Sequence, residues 1–375
     1  MKEHIGGNIV KKLGVSIYPE HSTVEKDKAY IKLAHKYGFK RIFTCLLSVD
    51  GDQDQIMKEF KEIIDYSNSL EMEVMVDIAP RVFGKLGISY NDLSFFAELG
   101  AYGIRLDLGF TGNEESIMTY NPYGLKIEIN MSNATKYLEN ILAYKPNQIN
   151  LIGSHNFYPH RYAGLSYQHF VKCSEEFKKH GIRTAAFINS QAATYGPWPV
   201  SEGLCSLEMH RNLSVVTQAK HLFYSNLIDD VIIANAYASE EEFKQLADLN
   251  NDGKDLFTMS INLYDTITPL EKKIVLDEFH FYRGDVSDYL IRSTQSRVKY
   301  KSEEFKPTYT PNIRRGDILI ENELYGQYKG ELQIALQDME NSGKTNVVGR
   351  IAEEEIFLLD FLHPWSKFQF KEIRL

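Results

Sequence analysis

Asp107 and Glu128 lie in short apolar runs, RLDLG and KIEIN, in which each carboxylate alternates with leucine or isoleucine. Alternation of this kind puts a polar side chain on the face opposite its apolar neighbours. Two carboxyl groups set side by side can protonate a leaving oxygen while the second attacks, or activates water, at the sugar carbon. Glu20, in YPEHS, adds a third carboxylate at the junction of an apolar run and a helical pattern. With Asp107 and Glu128 supplying a pair, Glu20 reads as a binder of substrate hydroxyls or a neighbour that tunes their protonation. A direct acid role for Glu20 is the alternative. Asp77, His155, Asn156, Asn189, Gln191 and Asn235 close similar runs, with Arg161 and Tyr195 nearby, and form the candidate substrate-binding set. Burying so many unpaired polar groups is costly, and a structural chain has little reason to do it. Each also has a plainer reading: Asp77 can tie a loop, and His155 can be a hydrogen-bonded core residue. His155 and His160 are five apart, not the i, i+4 spacing of a helical ligand pair, so no metal is expected.

These residues need elements to position them. Apolar runs rich in β-branched residues cover 13–19, 41–47, 73–80, 102–109, 126–132, 148–157, 183–189 and 229–237. Helical patterns lie between them, weaker after the third and fourth runs. The first, STVEKDKAYIKLAHKYG, has Ser22 and Glu25 in capping-box spacing and Gly38 as a stop. Eight strand–helix repeats are what a parallel (β/α)8 barrel needs, and its loops after the strand ends would gather the polar set on one face. An open doubly wound sheet is the alternative, but no GxGxxG follows the first run. The alternation ends near residue 250, where Asn250, Asn251, Asp252 and Gly253 read as a boundary turn. The expected organisation is an α/β chain: a TIM barrel over 1–250 and a smaller β-rich domain over 251–375. In the latter, 256–264, 272–282, 297–300, 316–326, 330–336, 345–351 and 354–362 read as strands.

Composition narrows the function classes. A net charge of −9 over 375 residues argues against a nucleic-acid partner. The hydrophobic fraction of 43% supports large cores, yet no window is long and apolar enough to span a membrane. Cys45, Cys173 and Cys205 are isolated in sequence, which favours a reducing compartment. The first residues lack the apolar core of a secretory signal, so a cytoplasmic location is expected. Within this acidic chain, Arg283, Arg292 and Arg297 cluster with Ser293 and Thr294, a combination suited to a phosphate group. Surface ion pairing is the plainer alternative.

The stretches LGVSIYPEHSTVEKDKAYI, RLDLGF, SHNFYPHRYAGLS, FINSQAATYGPWP and RGDVSDYLIRSTQSR resemble the bacterial 6-phospho-N-acetylmuramidase family over nearly the whole chain. The resemblance implies a TIM barrel followed by a cyclophilin-like β domain. It also implies a cytoplasmic exo-glycosidase that separates N-acetylmuramic acid 6-phosphate from β-1,4-linked N-acetylglucosamine, in cell-wall recycling and without a cofactor. The expected partner is that small phosphorylated disaccharide, with a homo-oligomer left open. Two other classes stay in view: a phosphosugar aldolase or isomerase, and a non-catalytic phosphosugar sensor. The strand ends carry no lysine for a Schiff base, since Lys126 starts its run.

Overall fold

The structure is a computed structural model that describes residues 10–46, 53–78, 80–250 and 256–373. The chain divides into two compact units, Met1–Asn251 and Asp252–Leu375. Asn251, Asp252 and Gly253 of the expected boundary turn lie outside the described residues.

In the first unit the eight apolar runs become eight strands. They are β1 (Lys12–Ile17), β2 (Arg41–Leu46), β3 (Glu73–Ile78), β4 (Gly103–Leu106), β5 (Lys126–Asn130), β6 (Leu151–Ser154), β7 (Arg183–Ile188) and β8 (Asp230–Ile233). They pair in parallel in sequence order, and β8 returns to β1, closing the barrel. Both faces of these strands are covered, which is why their sequences are almost continuously apolar. The β4–β5 approach is tight. A Cβ on Gly103 would lie 2.5 Å from the Lys126 carbonyl oxygen, so only glycine fits there.

Helices join the strands. Val24–Lys36 is capped by Thr23, whose hydroxyl accepts from the Lys26 N–H at 3.3 Å. The expected cap, Ser22, instead hydrogen-bonds the Tyr237 hydroxyl. Sequence spacing alone did not separate two adjacent hydroxyl residues. Gly38, at φ 80°, follows the helix in the left-handed region that favours glycine. After β3 and β4 the helices are short, Pro80–Lys85, Ser94–Leu99 and Asn113–Met118.

The second unit is built on a mixed sheet. Its strands are β9 (Phe257–Leu263), β10 (His280–Phe281), β11 (Leu290–Ser293), β12 (Asp317–Glu321), β13 (Leu332–Ala335), β14 (Thr345–Ile351) and β15 (Lys367–Glu372). They lie in the order β10-β15-β9-β14-β12-β13-β11, with β15 and β9 parallel. Three expected strands differ. Most of 272–282 belongs to the helix Pro269–Asp277, because Thr268 and Glu271 form a capping box and Pro269 occupies the first turn. Residues 297–300 fall in or at the end of the helix Gln295–Lys299, and 354–362 largely form a 3-10 segment. Among the described residues no helix is long and apolar enough to cross a membrane.

Candidate active site

The strand ends of the barrel converge on Arg105, which lies on β4 inside the lumen. Its Nε donates to Ser154 Oγ at 2.8 Å, its Nη1 donates to Asp77 Oδ1 at 3.0 Å, and its Nη2 donates to Asn156 Oδ1. The same Nη1 is 3.6 Å from Asp107 Oδ1. Two carboxylates, one on β3 and one just past β4, therefore share one guanidinium nitrogen, close enough to flank a single glycosidic bond. Their surroundings differ. Asp77 is 7% exposed, and its Oδ2 faces the Cys45 thiol at 3.7 Å. Burial pushes its carboxyl above the usual range, the charges of Asp107 and Glu128 add to this, and Arg105 opposes it. The Asp107 side chain is 47% exposed and faces solvent. Arg105 stays charged: burial disfavours the guanidinium, but Asp77, Asp107 and Glu128 outweigh it.

Glu128 does not reach this mouth. The strand register sets it, like Asp77, opposite Arg105 rather than Asp107, but it is 0% exposed. Its Oε2 accepts from Arg41 Nη2 at 2.6 Å, and its Oε1 is 3.8 Å from Arg105 Nε. Both contacts of its carboxyl are to arginines, and the side chain that meets Asp107 at Arg105 Nη1 is Asp77. Glu20 lies in the turn Pro19–His21 after β1, exposed, and near enough to raise the pKa of Cys45.

Other members of the polar set turn out to hold the scaffold. His155 is fully buried outside the lumen, between Ser132 Oγ at 3.2 Å and Ser174 Oγ at 2.9 Å, and it stacks on Phe170. Ser154 and Asn156 face the lumen through Arg105, and period-two alternation turns His155 away. Asn189, Gln191 and Asn235 are engaged with backbone. Asn189 Oδ1 accepts from the Leu204 N–H at 2.8 Å and from Asn235 Nδ2 at 3.1 Å. Asn235 Nδ2 also donates to the carbonyls of Ser190 and Ala193, and Gln191 Nε2 to those of Arg211 and Leu213. These three amides brace the loops instead of presenting donors to a ligand. Tyr195 is half-buried, with Lys26 Nζ 5.9 Å from its ring centroid. Arg161 is exposed beside Tyr162. Tyr18 is buried in the wall and its hydroxyl donates to the Ala234 carbonyl. Half-buried Tyr158 lies close enough to Arg105 and Asp107 to feel their charges.

Sequence reasoning missed the clamp on these loops. Arg211 donates to the carbonyls of Tyr158, His160 and Glu202 at 3.2, 3.2 and 2.9 Å. Glu208 accepts from the Tyr162 and Gly164 N–H groups, each at 2.8 Å, and pairs with Arg211. The Arg211 hydrogen bond, supported by the two backbone donors, holds the Glu208 carboxyl down at about 2. The available signal was the i, i+3 pair in EMHR. Among the described residues no three His, Cys, Asp or Glu side chains gather as a metal site requires.

Family models match both units: the 6-phospho-N-acetylmuramidase N-terminal domain at residues 13–248 and its C-terminal domain at 257–371. The chain belongs to the 6-phospho-N-acetylmuramidase family. The family name denotes a muramidase-type glycosidase activity. The crystal structure of an uncharacterised protein from B. cereus is 53% identical, with a TM-score of 0.90, covering 97% of this chain and 100% of that one. A conserved protein of unknown function from Enterococcus faecalis shares the fold at 24% identity and a TM-score of 0.74, with 96% of each chain covered. No curated protein matches the sequence.

In the second unit of this muramidase-family chain the arginine cluster is real but internally paired. Arg292 Nε and Arg297 Nη1 converge on the buried Glu331 at 2.7 and 2.9 Å. Arg283 pairs with Asp285, and both Arg292 and Arg297 lie near the Tyr328 ring. Ser293 points inward, its hydroxyl 3.4 Å from His280 Nδ1, and so cannot serve a phosphate. Thr294 is half-buried and begins the helix Gln295–Lys299.

Proposed function

We propose that the barrel mouth hydrolyses the β-1,4 bond between N-acetylmuramic acid 6-phosphate and N-acetylglucosamine, in cytoplasmic recycling of cell-wall sugars. The observation that carries this reading is the sharing of Arg105 Nη1 by Asp77 and Asp107, one carboxyl buried and the other open to solvent. Glycosidases separate their two carboxyl roles by such a difference of environment. Asp77 is the general acid, since burial favours its protonated form. Asp107 is the nucleophile or the base that activates water. Arg105 orients both, and Glu20 supplies a further acceptor for sugar hydroxyls.

The family name supports a phosphorylated muramic sugar as the substrate class. The test is parallel incubation with the 6-phosphorylated disaccharide and its unphosphorylated form, with both products quantified. Cleavage of the phosphorylated sugar alone is expected. Equal cleavage of both would remove the phosphate requirement, and cleavage of neither would remove the glycosidase reading.

A further inference from the structure

Beneath the mouth, the barrel interior holds a chain of alternating charges. At its floor Arg183 grips Asp230 through Nε at 2.9 Å and Nη2 at 2.5 Å. Arg41 crosses the lumen from β2, donating to Asp230 Oδ2 at 2.8 Å and Glu128 Oε2 at 2.6 Å. Glu128 then lies 3.8 Å from Arg105 Nε, and Arg105 reaches Asp77 and Asp107. Barrel interiors are more usually filled by layers of branched apolar residues. A buried column of this length is tolerable only if its charges are matched.

They are not matched when every carboxylate is ionised. The wholly buried members are two guanidinium groups, Arg41 and Arg105, and three carboxyls, Asp230, Glu128 and Asp77. The ends that reach solvent, Arg183 and Asp107, carry one charge of each sign and leave this excess unchanged. Lys12 and Glu73, paired at 2.7 Å at the starts of β1 and β3, cancel each other. One proton removes the excess, and contact geometry selects where it sits. Asp230 is held by two arginines, and Glu128 lies between two. Asp77 has a single guanidinium contact, a thiol at its other oxygen, and the Asp107 carboxylate across from it.

We propose that Glu128 is a positioning residue whose buried charge, acting across Arg105, keeps one proton on Asp77. The inference rests on the Asp77–Asp107 reading of the mouth, but its test does not require turnover. The titratable groups facing Asp77 are Tyr18 just after β1, Cys45 from β2, Arg105 from β4, Asp107 just after it, and Glu128 from β5, with Glu20 beyond Cys45. Burial raises both the Tyr18 hydroxyl and the Cys45 thiol, so neither ionises near neutrality. The carboxyls and arginines alone set the proton count there.

Charge parity gives the experiment. Glu128→Gln balances the buried charges without a proton, Arg41→Gln doubles the excess, and Arg41→Met/Glu128→Met returns it to one. The readouts are the 13C titration of the Asp77 carboxyl, assigned through Asp77→Asn, and the alkaline limb of kcat/KM. Glu128→Gln is expected to lower both by about one pH unit or more. Arg41→Gln is expected to raise both, and the double variant to return them to the wild-type position. Apolar replacement of a buried pair is commonly tolerated, and should Glu128→Gln not fold, the opposite sign of Arg41→Gln carries the test. A column that only stabilises the barrel would leave the Asp77 titration in place in every folded variant, and that result overturns the proposal. A wild type that titrates as described yet cleaves nothing supports the proton assignment and removes the glycosidase reading.

Discussion

Asp77 on β3 and Asp107 just past the end of β4 touch the same nitrogen, yet one is buried and one is wet. Chemistry that needs an acid and a carboxylate together follows from that asymmetry. Asp77→Asn and Asp107→Asn are each expected to lower kcat/KM on the phosphorylated disaccharide by about 10²- to 10⁴-fold. Circular dichroism should remain that of the wild type, and activity within tenfold of wild type for either variant would displace that carboxyl from the reaction. At this scale the sequence was partly legible. Alternation showed that Asp107 and Glu128 lie on inward faces, but strand stagger decides height along the barrel, and stagger has no local signature. Glu128 therefore sits opposite Arg105 rather than beside Asp107, wholly buried. His155 takes the plainer of its two readings, a hydrogen-bonded core residue. Ser154 and Asn156 flank it, both facing the lumen through Arg105, so the period of two already placed it outside. Arg41 escaped notice because an arginine at a strand start resembles a solvent-facing charge.

Loops after β6 and β7 depend on one guanidinium and one carboxylate. Arg211 takes carbonyls from 158, 160 and 202, while Glu208 takes N–H groups from 162 and 164. Arg211→Met keeps much of the aliphatic bulk and removes the donors. Its expected cost is roughly 3 kcal/mol of stability, because three partly buried carbonyls lose their partner together. Amide exchange should rise at 158–164 and 202–205 while the barrel strands remain protected. Exchange that rises uniformly through the barrel would contradict a local clamp. The barrel strands were readable because burial on both faces writes continuous apolar runs. The second unit was harder, since short two-faced strands and apolar helices share a composition. The capping box at Thr268 and Glu271, with Pro269, was the overlooked signal. Asn189 and Asn235 were visible as polar strand ends, but their mutual bonding depends on the return of the intervening loop.

Both units bury neutral histidines. Burial holds His155 at about 3 and His280 at about 4, against an ordinary value near 6.5. A depressed histidine contributes stability that is complete above its unfolded pKa and is lost as pH falls toward its folded value. The window is therefore about pH 6.5 down to 4 or 3, with a slope up to about 1.4 kcal/mol per pH unit for each group. Asp77 and Glu321, both raised by burial, act with the opposite sign, so the measurement is differential. His155→Gln and His280→Gln should each flatten the dependence of the urea midpoint on pH between 6.5 and 4, one acting in each unit. Parallel curves for variant and wild type would show that the imidazoles do not carry this acid sensitivity. The charged column of the barrel has a consequence for folding as well. Each of its ion pairs links a side chain of one strand to a side chain of another, across β8, β2, β5 and β4. A strand that slipped by one residue would turn its charge outward, and a slip of two would separate it from its partner. A lone charge stranded in the lumen costs about 3–5 kcal/mol. An interior of leucine and valine would forgive such errors, whereas this one proofreads the alignment of the strands as the barrel closes.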